Sequence, residues 1–182
     1  NSLDSKTSGT VTTDDDLATL TGTVAALNTA YGSAGLSMGG DEAITISDTT
    51  VDAEELNNLN NYTSGVINAG TLSKLTGTLA DVNVAFAADA ASSATISGLG
   101  DQDVELTDTN VLAADLNTLN TYTAGTVDAS TVAVIEGTVS ALNTAYDTAG
   151  INGLGNEAVT ITDTTAQVAD LVTLDGLSLI HI

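Results

Sequence analysis

The sequence predicts an α/β fold in the form of a repetitive solenoid, with short parallel strands on one side and short helices on the other. Two recurring phrases of the chain predict it. The first runs from Leu17 to Tyr31 and returns as Leu72 to Phe86 and as Val132 to Tyr146. The second, an alternating apolar stretch followed by Asp and Thr, also occurs three times. Such self-similarity indicates stacked units, each of which buries its apolar face against its neighbours.

Once its insertions are removed, the common unit is about 55 residues long, a period of the kind that stacked repeats show. Equivalent units start at Gly9, Gly65 and Gly125. One extra residue stands within Asp14–Asp16, and five stand between Phe86 and Gly100. Because a buried element could not absorb such insertions, we expect both at the surface. The chain therefore divides into the end of a preceding repeat at 1–8, repeats at 9–64, 65–124 and a truncated 125–176, and a non-repeat tail at 177–182.

The first phrase carries apolar residues at helical spacing. In the middle copy they lie at offsets 0, 3, 7, 10 and 14, as Leu72, Leu75, Leu79, Val82 and Phe86. A glycine followed by threonine interrupts this stripe in every copy, at Gly22, Gly77 and Gly137. Glycine suits the end of a helix and threonine suits an N-cap. We therefore expect either two short helices that meet at a bend or one helix with an internal glycine.

The second phrase predicts a short strand followed by a helix. Ile44 and Ile46 alternate with polar residues, as do the equivalent pairs Val104 with Leu106 and Val159 with Ile161. The Asp-Thr that follows offers oxygens to cap a helix, and Asp52, Glu54 and Glu55 then fall at its first turn. Further strands are predicted at Val66–Asn68 and Thr126–Asp128. Since strand–helix–strand units normally pair in parallel, we expect coils of the leucine-rich-repeat kind.

The composition excludes several classes of partner. The chain has 24 Asp and Glu against two Lys, and its net charge is −22 at pH 7. Nucleic acids and anionic membranes both require a basic surface, so neither is expected to bind. No apolar run approaches the roughly 18 residues needed to insert into a membrane. The chain lacks cysteine, which excludes disulfides and thiolate metal sites. Divalent cations, which relieve repulsion between carboxylates, are the small partners we expect.

Five carboxylates are the candidate metal ligands. Asp48, Asp108 and Asp163 follow the alternating strand of each unit, and Asp101 and Asp103 lie in or beside the turn before the middle strand. Carboxylates that converge from loops suit Ca²⁺, which takes six to eight oxygen ligands. Alternatively, each recurring aspartate caps a helix, which needs one residue instead of a cage. Ca²⁺ is thus the one cofactor hypothesis, and capping is the favoured interpretation.

Asparagine and tyrosine also recur beside the apolar stripes, at Asn28, Asn83 and Asn143 and at Tyr31, Tyr62, Tyr122 and Tyr146. Inward asparagines would form a stacked ladder of hydrogen bonds, whereas outward ones would face solvent, and both alternatives stay open. The tyrosines are expected in the core with a hydrated hydroxyl. The one histidine, His181, lies in the tail that departs from the repeat. Because the chain also lacks Cys and Arg, we expect no catalytic site and no enzymatic activity.

The phrases L-x-G-T-x-x-x-L-N-x-A-Y and G-L-G-N-E-A-V-T-I-T-D-T-T resemble repeats in very large secreted or cell-surface proteins of marine bacteria, especially cyanobacteria. The resemblance covers Gly9 to Gly176 and carries no catalytic motif. It implies an exported, adhesin-like or surface-layer role, often beside calcium-binding repeats, and it assigns no functional residue.

We therefore expect a structural or adhesive segment of a longer extracellular or cell-surface protein. Its partners would be neighbouring repeats, divalent cations or extracellular surfaces. The alternative is a module that binds a ligand or an ice-like surface through its strand face. Thr45 with Ser47 and Thr160 with Thr162 offer a partial T-x-T array for this role, which Glu105 interrupts in the middle copy.

Overall fold

A computed structural model describes residues 6–13 and 17–177, which form an α/β fold of parallel strands and six helices. The helices are α1 Val24–Tyr31, α2 Ala53–Asn60, α3 Leu79–Ala90, α4 Ala113–Tyr122, α5 Val139–Asp147 and α6 Val168–Leu177. The strands are β1 Val11–Thr12, β2 Thr19–Gly22, β3 Leu36–Ser37, β4 Ala43–Ile46, β5 Thr50–Asp52, β6 Ile67–Asn68, β7 Lys74–Gly77, β8 Ile96–Ser97, β9 Asp103–Leu106, β10 Asn110–Leu112, β11 Val127–Asp128, β12 Val134–Gly137, β13 Ile151–Asn152 and β14 Ala158–Ile161.

The described part of the chain runs through six blocks, each of which we define as one helix with the strands that precede it. Within the described residues, blocks 2 and 4 contain three strands and the others contain two. The strands pair in parallel in four rows, with the orders β1-β3, β2-β4-β6-β8, β5-β7-β9-β11-β13 and β10-β12-β14. Each helix contacts the helix of the next block. Every block therefore packs on its neighbours in chain order.

The rows shift by one strand position for every two blocks. Ile44 in the second strand of block 2 pairs with Ile67 in the first strand of block 3. In the adjacent row, Leu75 in the second strand of block 3 pairs with Val104 in the second strand of block 4. New rows begin at β5 and β10, directly before α2 and α4. A full shift therefore takes two blocks, with one helix in each.

The expectation of helix before the recurring glycines is wrong in both of its forms. Residues 19–22, 74–77 and 134–137 are strands, and the helix begins only after the following threonine. Leu75 fits either assignment, because it is fully buried on a strand whose exposed and buried residues alternate. Glycine is favoured at the last position of the strand, because a Cβ at Gly137 would lie 3.0 Å from the Cβ of Ala113 in the preceding block. Helical spacing of apolar residues therefore did not distinguish a strand, a turn and a helix in succession.

The expected N-caps are confirmed at the threonines that follow these glycines. Their side chains accept hydrogen bonds from amides in the first turn of α1, α3 and α5, at Thr23, Thr78 and Thr138. The insertion of five residues lies partly in α3, which has 12 residues where α1 has 8 and α5 has 9. Most of the side chains at 87–95 are exposed or half-buried, as expected for an insertion.

The core consists of stacked aliphatic side chains. The strands contribute Ile44, Leu75, Val104 and Ile135, and each of these is at most 1% exposed. The helices contribute leucines such as Leu116, which is fully buried. Burying one such side chain stabilises the fold by about 1.5–3 kcal/mol. The buried face predicted for the alternating strand is confirmed in the first two units, whereas the equivalent residues of β14 are only half-buried.

Candidate functional site

The recurring aspartate of each unit caps a helix of the preceding block. One of its carboxylate oxygens accepts a hydrogen bond from the first amide of that helix. The three bonds measure 2.9, 2.6 and 2.7 Å, for Asp48 with Val24, Asp108 with Leu79 and Asp163 with Val139. A carboxylate at this position is favoured because it satisfies an unpaired amide and faces the positive end of the helix dipole.

The sequence indicated the cap but not the correct helix. The Asp-Thr phrase was expected to cap the helix that follows it, yet Asp48 reaches back to the first amide of α1. The following helix α2 is instead capped by Asp52, which accepts from the amide of Glu54 at 2.9 Å. Glu54 and Glu55 lie in its first turn, as expected. A second bond fixes Asp48 in place, because the Thr71 hydroxyl donates to its carbonyl oxygen at 3.0 Å.

The two remaining candidate calcium ligands are also engaged by neighbouring groups. Asp101 accepts a hydrogen bond from the side-chain amide of Gln102 at 2.9 Å. Asp103 accepts from the amide and the hydroxyl of Thr126, both at 2.8 Å, and these bonds hold the pKa of Asp103 below its ordinary value. Within residues 6–13 and 17–177, no group of three or more Asp, Glu or His side chains is placed to hold a metal ion. The calcium hypothesis stays a prediction.

A buried acid occupies the turn that leads into the long strand of the first unit. We call the turns at residues 39–42, 98–102 and 153–157 the entry turns. Glu42 is 1% exposed, and its carboxylate accepts from the amides of Gly39 and Gly40, each at 2.9 Å. The Tyr31 hydroxyl at the end of α1 donates to the same carboxylate at 2.9 Å. Three donors therefore replace the water that a buried carboxylate loses.

The third entry turn repeats this arrangement. Glu157 is 2% exposed and accepts from the amide of Gly155 at 2.8 Å and from that of Asn156 at 3.1 Å. The Tyr146 hydroxyl at the end of α5 donates to it as well. In both turns, a hydrogen bond from a tyrosine to a buried glutamate thus connects the end of a helix to the start of the next strand.

In the middle entry turn, neutral side chains occupy the places of the glutamate and the tyrosine. Gln102 takes the place of the glutamate and is 2% exposed, and Phe86 takes the place of the tyrosine. The Gln102 side-chain oxygen accepts from the amide of Gly100 at 2.7 Å. Its amide nitrogen donates to the carbonyl oxygens of Leu72 at 3.2 Å and Gly98 at 3.1 Å. A neutral amide satisfies its own hydrogen bonds here, so the tyrosine hydroxyl is not needed.

The pKa values of the first pair move in opposite directions. Burial raises the pKa of Glu42, but the hydrogen bonds from backbone amides and from Tyr31 lower it by more, and the net pKa lies below its ordinary value. Burial, together with the bond to Glu42 and its negative charge, raises the pKa of Tyr31 to about 12. Both shifts stabilise the neutral tyrosine paired with the ionised glutamate.

The entry turn also contacts the following block. The Thr63 hydroxyl donates to the carbonyl oxygen of Glu42 at 2.7 Å and accepts from the amide of Gly65 at 2.9 Å. Tyr62 stacks on Tyr31 with ring centroids 5.5 Å apart, and Tyr122 stacks on Phe86 at 6.3 Å. The sequence missed these buried acids as a group. The signal that could have revealed them is the paired change from Tyr and Glu to Phe and Gln in the middle unit.

Asparagines connect each helix to the next one. The side-chain nitrogens donate to carbonyl oxygens in the first turns of the following helices at 2.9–3.2 Å, for Asn28 with Glu55, Asn57 with Asp81, Asn83 with Asp115, Asn117 with Ala141 and Asn143 with Asp170. The inward alternative is therefore correct, although the acceptors are backbone carbonyls and not other asparagines. Asn57 and Asn117 were missed as members of this series.

Comparison of the chain with protein-family models, with curated proteins and with solved structures finds no match. Among residues 6–13 and 17–177, no helix is both long enough and apolar enough to cross a membrane. His181, with most of the tail that was expected to be foreign to the repeat, lies outside the described residues.

Proposed function

We propose that this chain is a non-catalytic structural or adhesive segment of a longer extracellular or cell-surface protein. The observation that carries the proposal is that the recurring polar side chains bond to the neighbouring block. The capping aspartates and the helix-connecting asparagines reach partners 24 to 32 residues away in the sequence. Residues used in this way hold a stack together, and the same use recurs in every unit. Such a role suits a spacer that carries load along its length.

The proposed architecture is a solenoid in which each block forms one coil. Rows of parallel strands and contacts between successive helices support it. Neighbouring strands lie about 4.8 Å apart, whereas packed helices lie about 8–10 Å apart. A stack with strands on one side and helices on the other must therefore curve or twist. In such a stack, each coil interacts only with its neighbours, so length can vary without a new core.

A series of chain lengths tests this proposal. Variants with the unit 65–124 deleted or duplicated are compared with the parent by small-angle scattering and denaturant unfolding. Each added unit of two coils should lengthen the particle by about 10 Å, from the strand spacing, and should raise the unfolding m-value in proportion to the area buried. A maximum dimension that grows as for a sphere, or an m-value that stays constant, would contradict the proposal.

Calcium dependence of this segment is a separate expectation that follows from its acidity. Circular dichroism melting is followed with and without about 1 mM Ca²⁺, with Mg²⁺ as the control for general charge screening. A rise in the melting temperature specific to Ca²⁺ would support binding at the capping aspartates or elsewhere. Equal effects of both ions would indicate screening alone.

A second candidate function, recognition of an ordered surface such as ice, is favoured by one feature of the strand face. Thr21 pairs in register with Thr45, and the row continues to Asn68 and Ser97. In the adjacent row, Glu105 interrupts the T-x-T array and forms an exposed ion pair with Lys74 at 2.9 Å. A thermal-hysteresis measurement tests this function, with T45K as the variant that should abolish any activity. Absence of hysteresis in the parent would dismiss it.

A further inference from the structure

The three entry turns present one architectural contact in two chemical forms. In the first and third units, a tyrosine at the helix end donates to a glutamate that is at most 2% exposed. In the middle unit, Phe86 and Gln102 occupy the same places, and the amide bonds to backbone carbonyls instead. Both members of the pair change together. The buried side chain is a carboxylate in one form and a neutral amide in the other.

We propose that the bond between Tyr31 and Glu42 in the first entry turn is a pH-dependent contact that stabilises the first unit between acid and alkali. In the Phe86–Gln102 turn, the buried side chain at the same position is a neutral amide. Protonation of Glu42 removes the negative charge that strengthens its bonds from the amides of Gly39 and Gly40 and from Tyr31, and it turns one accepting oxygen into a hydroxyl. Because the side chain is buried, solvent does not compensate the loss. In the middle turn the buried side chain of Gln102 does not titrate, so its bonds with Gly100, Leu72 and Gly98 persist in acid. Two carboxylates accept further bonds in this turn, Asp101 from Gln102 and Asp89 from the amide of Leu99.

The pH window follows from the directions of the pKa shifts. The pKa of Glu42 is lower in the folded protein than in the unfolded chain, so its stabilisation is complete above the unfolded value and is lost as pH falls through the folded value. The pKa of Tyr31 is raised from 10.0 to about 12. Its stabilisation is complete below pH 10 and is lost as pH rises towards 12.

Other titratable groups lie close to the Tyr31–Glu42 bond. Asp41 adjoins Glu42 in the first turn, and Tyr62 of block 2 stacks on Tyr31. The negative charge of Asp41 adds to the rise in the pKa of Tyr31, but neither Asp41 nor Tyr62 is the donor or the acceptor of the Tyr31–Glu42 bond. Salt at about 0.5 M reduces their long-range influence, because the screening length then falls well below 10 Å.

Hydrogen exchange resolved by residue tests the proposal on the whole chain. Protection is measured from pH 7 to pH 3 in Ala43–Ile46, Asp103–Leu106 and Ala158–Ile161, with correction for intrinsic exchange rates. At Ala43–Ile46, each pH unit by which folding lowers the pKa of Glu42 should cost about tenfold in protection. In the Y31F/E42Q variant, which has the middle form in the first unit, the acid loss at Ala43–Ile46 should disappear. Protection at Ala158–Ile161 should keep the pH profile that it has in the parent.

Two further variants keep the proposal testable if Y31F/E42Q fails to fold. F86Y/Q102E should enlarge the acid-dependent loss at Asp103–Leu106 beyond the part that Asp103 already causes in the parent. Y31F alone should move the acid loss at Ala43–Ile46 to higher pH and abolish the loss between pH 10 and 12. An acid dependence at Ala43–Ile46 that Y31F/E42Q leaves unchanged, or an unchanged middle strand in F86Y/Q102E, would overturn the proposal.

Discussion

At the scale of single residues, side chains that resemble a binding site are engaged in holding neighbouring blocks together. Asp108 satisfies the first amide of α3, and Asn83 reaches from α3 to the carbonyl oxygen of Asp115. The sequence revealed the recurrence of Asp108 and the chemistry of a cap. It could not reveal which helix is capped, because the partner amide is distant along the chain and is brought near only by strand pairing.

Replacing Asp108 by alanine tests this role. The D108A variant should lose about 1 kcal/mol of unfolding free energy, as is typical for removal of an N-cap. E136A is the matched control, because it removes one exposed carboxylate from β12 and should change stability by less than about 0.5 kcal/mol. Urea unfolding of both variants measures the difference. Equal effects of D108A and E136A would show that the cap contributes nothing beyond charge.

At the scale of elements, the sequence predicted strands and helices correctly where one spacing of apolar residues dominated. The prediction failed where alternating and helical spacings overlapped. The alternation of Ile44 and Ile46 gave β4 correctly, and Thr78 gave the start of α3. Leu72, Leu75 and Leu79 share one helical stripe, but they belong to a turn, a strand and a helix. All three are buried in the fold, so burial alone does not distinguish these elements.

The middle entry turn lies in close contact with Gly125 of the following block. Adding one methyl group at this glycine should therefore lower the stability of the protein strongly. A Cβ at Gly125 would overlap the carbonyl group of Gln102, so G125A should destabilise the protein by about 2 kcal/mol or more. The control is G176A in α6, where a Cβ would meet no atom within 4 Å. It should be neutral or should stabilise by up to about 1 kcal/mol, because alanine favours a helix. Thermal melting of the two variants decides between them, and a tolerated G125A would contradict the described contact.

At the scale of the whole molecule, acidity opposes compactness. A net charge of −22 on 182 residues repels itself within the fold, and the ion pair of Lys74 with Glu105 is exposed to screening by salt. We expect the melting temperature to rise between about 0.05 and 0.5 M NaCl, since the screening length shortens from above 10 Å to below it. A fall over this range would mean that specific ion pairs outweigh the general repulsion.

The strand rows shift by one position for every two blocks, and the proposed solenoid depends on this shift. The chain lacks native cysteine, so engineered disulfides report strand pairing directly. Thr45 pairs in register with Asn68, and in-register neighbours about 4.8 Å apart lie within disulfide range. If rows did not shift, Thr45 would instead face Thr76, the corresponding residue in the second strand of block 3. Rapid oxidation of T45C/N68C without oxidation of T45C/T76C is the predicted result, and the reverse would contradict it.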